Sequence, residues 1–382
     1  MTLATGISTG NGTHPRRTPE ASSVGIVQRR SAHFDHALPL LSGQSLERFT
    51  IAYETYGELT DTRDNAILIC HALSGDAHVA GYYTDDPDEK PGWWDEAVGP
   101  GKMFDTECFC VICANVIGGC QGSTGPSSLA PDGKPYGSRF PLVTVADMVL
   151  AQRYLLDALG IETLFAAVGG SMGAMQARSS AQNIAFNAIG REAIYADPNW
   201  KGGDYYDGQA PEAGLAVARM VGHITYMSER SLESKFGRSL QDHDSLPYRL
   251  DVPEFTVESY LQYQGEKFIR RFDANSYLVI TKALDYFDIA DGYVSMEAAL
   301  AHVTAHFLVV SFSSDWLYTA AQGRELVQAL ENNGKPVEHH IIQADFGHDS
   351  FLVEVETMTH LVGGYLTRAW EEYRSDELRV KS

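Results

Sequence analysis

No stretch of this 382-residue chain stays apolar long enough to cross a bilayer, since a helical span needs about 20 consecutive apolar residues. Positive charge is scarce too. Lys and Arg total 29 against 50 Asp and Glu, a net charge of −21, and that balance argues against a nucleic-acid partner, which needs a basic surface to neutralise phosphates. Acidity of this kind chiefly promotes solubility and fits a salty habitat. Cysteine is sparse and odd in number, five in all. Without a secretory signal, such a count points to reduced, buried thiols in a cytoplasmic protein. Three of the five fall in the apolar run Cys108 to Cys113, where strand alternation sends neighbouring side chains to opposite faces, so no metal site is expected there. Internal repeats and low-complexity arrays are also missing, which excludes repeat architectures.

What remains is the composition of one large enzyme domain, with 44% hydrophobic residues arranged in alternating strand and helix patterns. Residues 1–26, rich in Thr, Ser, Gly, Pro and Arg, are predicted to be a disordered tail. Strands are expected over Phe49 to Tyr56 and Asn65 to Cys70, and a helix over Thr144 to Leu159 that stops at Gly160. That rhythm predicts a mainly parallel sheet built from residues 27–180 and 301–382. Between 181 and 300 the pattern changes to helices rich in Tyr, Phe and Met, the place for an inserted helical lid.

The apolar run Leu164 to Val168 leads into Gly169-Gly170-Ser171-Met172-Gly173. A serine between glycines at a strand-to-helix turn is the G-x-S-x-G nucleophile elbow, so the expected chemistry is covalent catalysis through Ser171. A serine hydroxyl needs a base to take its proton and a carboxylate to orient that base. Asp315 and His348 follow two later strands, His306 to Phe312 and Val337 to Ile342, one strand-helix-strand unit apart. Both therefore fall at the same sheet edge. His339 and His340 lie inside a strand, where at least one is expected to face the interior, and His223 and His360 lie in helices. Asp345 is the second choice for the acid. For the oxyanion, the amides of Met172 and of Leu73, in the loop His71 to Gly75, are the expected donors.

The motifs HALSG (71–75), PGWWDEAVGPGK (91–102), NVIGGCQGSTGPSS (115–128), GGSMG (169–173), SAQNIAFN (180–187), RFDANSYL (271–278) and FGHDSF (346–351) together resemble the homoserine O-acetyltransferase family from about Ser31 onward. The resemblance implies an α/β-hydrolase fold and ping-pong transfer of acetyl from acetyl-CoA to L-homoserine, an entry step of methionine synthesis. It further implies no bound cofactor and a homodimer. By the same resemblance Arg219 holds the substrate carboxylate and Asp349 its amine, an assignment that suits a planar guanidinium and a carboxylate. Tyr226, Tyr260 and Tyr263 are candidates for tunnel or dimer contacts.

One departure stands out. Only eight residues, Met172 to Ser179, separate Ser171 from the SAQNIAFN motif, whereas the family places a helix and a central strand there, which need roughly 16 residues by themselves. Loss of that strand is expected to leave a ladder unpaired or to draw another strand into the gap. Three readings follow: the acetyltransferase, with succinyl-CoA or serine as variant substrates; an esterase or thioesterase using the same residues; and a degenerate, inactive relative.

Overall fold

The computed structural model describes residues 21–174 and 177–380. Five strands form the main sheet: β1 (Arg30–Phe34), β2 (Phe49–Tyr56), β3 (Ala66–Cys70), β4 (Cys110–Ala114) and β5 (Ala166–Gly169). Their order is β1-β2-β4-β3-β5. The β1–β2 and β2–β4 pairs are antiparallel, and β4, β3 and β5 run parallel. The sequences of β3, AILIC, and β4, CVICA, are nearly continuous apolar runs, and almost every residue in them is buried. That is the pattern of parallel strands covered on both faces.

Two further strands, β6 (Phe307–Phe312) and β7 (Val337–Ile342), pair parallel as a separate sheet. Among the described residues β5 is hydrogen-bonded only to β3, and β6 only to β7. Of the two outcomes expected for the short segment after Ser171, the open ladder is the one found, and among the described residues no other strand fills the gap. The two edges meet through side chains instead. Ala166 and Val168 of β5 and Leu308, Val310 and Phe312 of β6 join one apolar cluster with Ile67, Ile69, Val111 and Phe351. Hydrophobic packing thus replaces a ladder, and it leaves β5 less protected than its neighbour: Ala167 is exposed while all of β3 except Cys70 is buried.

Helix α1 (Val145–Ala158) starts at a capping box in which the Thr144 side chain accepts from the Asp147 amide and Asp147 accepts from the Thr144 amide. Its Met148, Ala151 and Leu155 pack under β2 with Phe49 and Ile51. The segment expected to be a lid folds into helices, among them α2 (Ala181–Ala196), α3 (Glu212–Tyr226), α4 (Glu229–Lys235), α5 (Thr256–Ile269) and α6 (Ala274–Asp285). Ser180 caps α2 by accepting from the Asn183 amide at 3.1 Å. A buried ion pair, Arg191 to Asp285 at 2.6 Å, with Asn187 donating to the same carboxylate at 2.8 Å, ties α2 to α6. Helices α7 (Ala320–Asn332) and α8 (Gly364–Val380) complete the fold.

Three expectations need correction. The proposed tail lies outside the described residues up to residue 20, but residues 22–25 are partly buried: Gly25 accepts from the Tyr82 amide at 3.0 Å, and Val24 joins the cluster around Trp94, while Ala21 and Ile26 are exposed. Two short aliphatic side chains carry no periodic signal, so composition misses them. Cys108 is exposed in the turn ahead of β4 rather than within the strand. Neither His339 nor His340 is buried. His339 lies 3.3 Å from the Ser311 hydroxyl on the neighbouring strand, and His340 faces Glu338 at 3.6 Å.

Candidate active site

At the C-terminal end of β5 the backbone turns sharply, and Ser171 takes φ +58°, a left-handed conformation rarely adopted by a residue with a Cβ. Such a conformation costs about 1–3 kcal/mol. It is tolerated because Gly169 and Gly173 let the chain fold on itself: a Cβ on Gly169 would strike the Gly173 backbone, and one on Gly173 would strike the Cys70 carbonyl. The strained turn raises the Ser171 hydroxyl above the sheet.

His348 and Asp315 reach it from the loops after β7 and β6. The Ser171 Oγ lies 2.7 Å from His348 Nε2, and His348 Nδ1 lies 2.8 Å from Asp315 Oδ2. The other Asp315 oxygen accepts from the amides of Leu317 and Tyr318, both at 2.9 Å. With its oxygens so held, the carboxylate keeps Nδ1 protonated and leaves Nε2 free to accept the serine proton. His348 and Asp315 are only 5% and 8% exposed, which excludes water and strengthens both bonds. The imidazole is flanked by Tyr318, stacked at 5.0 Å, and by Tyr226 and Phe351 near 6 Å. Asp345 is not part of this chain. Its carboxylate pairs with Arg230 at 3.0 Å, and its carbonyl accepts from Ser228.

A cavity opens over Ser171, lined by Leu73, Asn183, Phe186, Tyr226 and Leu317 among others. Leu73 thus stands on one side of the hydroxyl, with the buried Met172 next to it in sequence. Arg219 enters from α3. Its guanidinium carbon sits 4.8 Å over the Phe268 ring and 5.6 Å over Tyr226. Its Nε and Nη1 are buried with no hydrogen-bond partner, an expensive state for a cation and one that a carboxylate ligand would relieve. Asp349, at the start of the turn after His348, does not cap the following helix through its side chain. Burial pushes its carboxyl above the usual range, while His348 and Arg219 pull it back. Tyr226 is likewise pushed up by burial.

Tyr260 and Tyr263 part company: Tyr260 packs in the lid with its hydroxyl 3.3 Å from His223 Nδ1, whereas Tyr263 is exposed on α5. His223 is therefore close to the site though no loop carries it. Burial, with Arg219, Lys235, Lys267 and Arg271 adding repulsion, drives it down to about 3, so it is neutral at pH 7. Sequence reasoning set it aside because a helical histidine carries no mark of its tertiary neighbours. Among the described residues, no group of three or more His, Cys, Asp or Glu is arranged to hold a metal ion, and no helix is long and apolar enough to cross a membrane.

The sequence pattern of the α/β-hydrolase fold matches residues 65–355. Among curated relatives, a homoserine O-succinyltransferase of Alkalilimnicola ehrlichii is 51% identical over 92% of this chain and 97% of its own length. A homoserine O-acetyltransferase of Solidesulfovibrio magneticus is 48% identical over 95% of this chain and 98% of its own length. That last alignment runs to 390 positions, more than the 382 residues of the chain, so the relative carries residues for which this chain has no counterpart. Among solved structures, the homoserine O-acetyltransferase from Bacillus anthracis superposes with a TM-score of 0.83 at 29% identity, covering 89% of this chain and 98% of that one. Esterase E22 superposes nearly as well, with a TM-score of 0.81 at 28% identity over 89% of this chain and 100% of its own. Backbone shape alone does not separate transferase from hydrolase.

Proposed function

This chain belongs to the α/β-hydrolase family and, within it, to the homoserine O-acyltransferases, and from that premise we propose that it moves an acetyl group from acetyl-CoA to the hydroxyl of L-homoserine through an acetyl-Ser171 intermediate. The observation that carries the reading is the pairing of a Ser171–His348–Asp315 relay with an Arg219 guanidinium beside it whose Nε and Nη1 are buried without a hydrogen-bond partner. A hydrolase has no need of a carboxylate grip at that position.

His348 Nε2 takes the Ser171 proton as the oxygen attacks the thioester carbonyl. The amides of Leu73 and Met172 receive the oxyanion, and the imidazolium, steadied by Asp315, returns the proton to the departing thiolate. Homoserine then enters with its carboxylate on Arg219 and its ammonium toward Asp349. Its hydroxyl gives a proton to His348 and attacks the acyl carbon. Collapse of the second tetrahedral species releases the ester, and His348 hands the proton back to Ser171. Binding the acceptor across Arg219 and Asp349 holds its hydroxyl near the acyl carbon and gives it the advantage over water.

Succinyl as the acyl group is the second reading, favoured by the 51% identical relative that carries that name. A cytoplasmic homodimer in methionine synthesis completes the proposal, supported by five free cysteines and the family resemblance. The test is release of free CoA by the full-length chain from acetyl-CoA and, in parallel, succinyl-CoA, with and without L-homoserine, beside Ser171→Ala. Homoserine-dependent release that is lost in Ser171→Ala supports the transferase, and the faster donor identifies the acyl group. Release independent of homoserine would make the protein a thioesterase, and no release from a folded sample would make it an inactive relative.

A further inference from the structure

We propose that Lys90, Lys235, Lys267 and Arg271 form the docking site for the phosphate groups of the thioester donor, a proposal that rests on the acyl-transfer reading above. Several cations of this acidic chain are paired directly with acids. Arg139, Arg153, Arg191, Arg230, Arg249 and Arg368 all sit within salt-bridge distance of a carboxylate. Among the described residues, Lys90, Lys235, Lys267 and Arg271 do not. They are nevertheless held together, and by aromatic rings rather than by acids.

The ring of Phe268, itself 1% exposed, is shared by two cations, with the guanidinium carbons of Arg219 at 4.8 Å and of Arg271 at 5.6 Å from its centroid. Arg271 Nη1 donates to the Ser74 carbonyl at 2.8 Å, which fastens it to the same loop as Leu73. Across the lid, Lys235 Nζ sits 4.4 Å over the Tyr260 ring, whose hydroxyl meets His223. Lys267 precedes Phe268 on α5 and feels Lys90, Arg271 and Arg219, and His223 feels Lys235, Lys267 and Arg271. The carboxylates facing the group are Asp76 toward Arg271, and Asp349 toward Arg219 and Lys235. Asp349 is committed to the acceptor amine.

Like charges gathered with only two facing carboxylates repel one another, so the arrangement disfavours the empty state and favours an anion. Coenzyme A carries its phosphates at the end remote from the thiol, joined by an uncharged arm. With the phosphates on this group, at the rim beside Ser74, the arm runs inward past Leu73 and brings the thioester to Ser171.

Isothermal titration of the full-length chain with CoA and with pantetheine, which has the same arm and thiol but no phosphate, tests the proposal. In the wild type CoA binds more tightly than pantetheine, and raising NaCl erodes that advantage. In Lys235→Gln/Lys267→Gln the advantage shrinks by about tenfold or more, as expected for the loss of charge-assisted phosphate contacts. Equal CoA affinity in variant and wild type would overturn it, and so would a salt-independent CoA affinity in the wild type, a readout that requires no variant. Phosphate-dependent binding in a chain that transfers no acyl group to homoserine would sink the functional reading and leave this site standing. Normal transfer with equal CoA and pantetheine affinities would do the reverse.

Discussion

Replacing Arg219 with Met separates acceptor binding from everything else the site does. The Nε and Nη1 donors of Arg219 are buried and unpaired in the free protein, and in the proposed complex both meet one carboxylate. Two charge-assisted hydrogen bonds contribute about 1.5–3 kcal/mol each, so their loss lowers kcat/KM for homoserine by about 10² to 10⁴-fold. The first half-reaction uses Ser171, His348 and the oxyanion amides, none of which touches this guanidinium in the proposed mechanism. Stability points the same way. Removing an unpaired buried donor pair relieves about 1–3 kcal/mol, while the lost contacts to Phe268 and Tyr226 forfeit about 0.5–2 kcal/mol each. These offsets leave Tm close to that of the wild type. The assay is rapid-quench acylation with radiolabelled acetyl-CoA, followed by steady-state kinetics in homoserine. A variant that acylates at the wild-type rate but turns over homoserine at least about 10²-fold less efficiently meets the expectation. A proportional fall in acylation, or a homoserine kcat/KM within fivefold of wild type, would refute the assigned role.

Asp349→Asn should raise stability at pH 7 and lower kcat/KM for homoserine. Because burial raises the folded-state carboxyl, wild-type stability is fully present below the unfolded value, near 3.9, and is lost as pH rises through the folded value. The advantage of the Asn variant in Tm should therefore vanish at about pH 3.5, and an advantage that persists there would contradict the assignment. His223→Phe should blunt acid unfolding: the wild type is stabilised by neutral His223 above 6.5 and loses that contribution as pH falls toward about 3. Urea midpoints at pH 7 and pH 4.5 measure the difference, which should narrow on the acid side in the variant. Grafting a family helix and strand after Ser171 should supply a ladder partner in the gap between β5 and β6 and raise Tm by several degrees. No change in Tm would show that the side-chain cluster joining the two edges already does what the ladder would do.

The order of Ser171, Asp315 and His348, each at a strand end, is legible because elbow glycines, apolar runs and strand-helix-strand spacing are local signals. The termini of β2 and β7 coincide with their apolar patterns for the same reason. Residues 22–25 escape such reading, since their order comes from Tyr82 and Trp94, more than fifty residues away. The half-burial of His339 and His340 escapes it as well. Strand alternation says which side chains share a face, but not whether that face is covered.

The sequence by itself determined that a serine, an aspartate and a histidine stand at strand ends in an order that suits a triad, and that too few residues follow Ser171 for another helix and strand. Only the tertiary structure decided what that shortage does, namely split the sheet between β5 and β6 with apolar side chains bridging the cut. It alone also left two buried guanidinium nitrogens of Arg219 without a hydrogen-bond partner and drew Lys90, Lys235, Lys267 and Arg271, scattered over 182 positions, within electrostatic reach of Lys267 or His223. Hydrophobic burial and electrostatics depend on distance in space, and chain separation of that size says nothing about it until the fold is made.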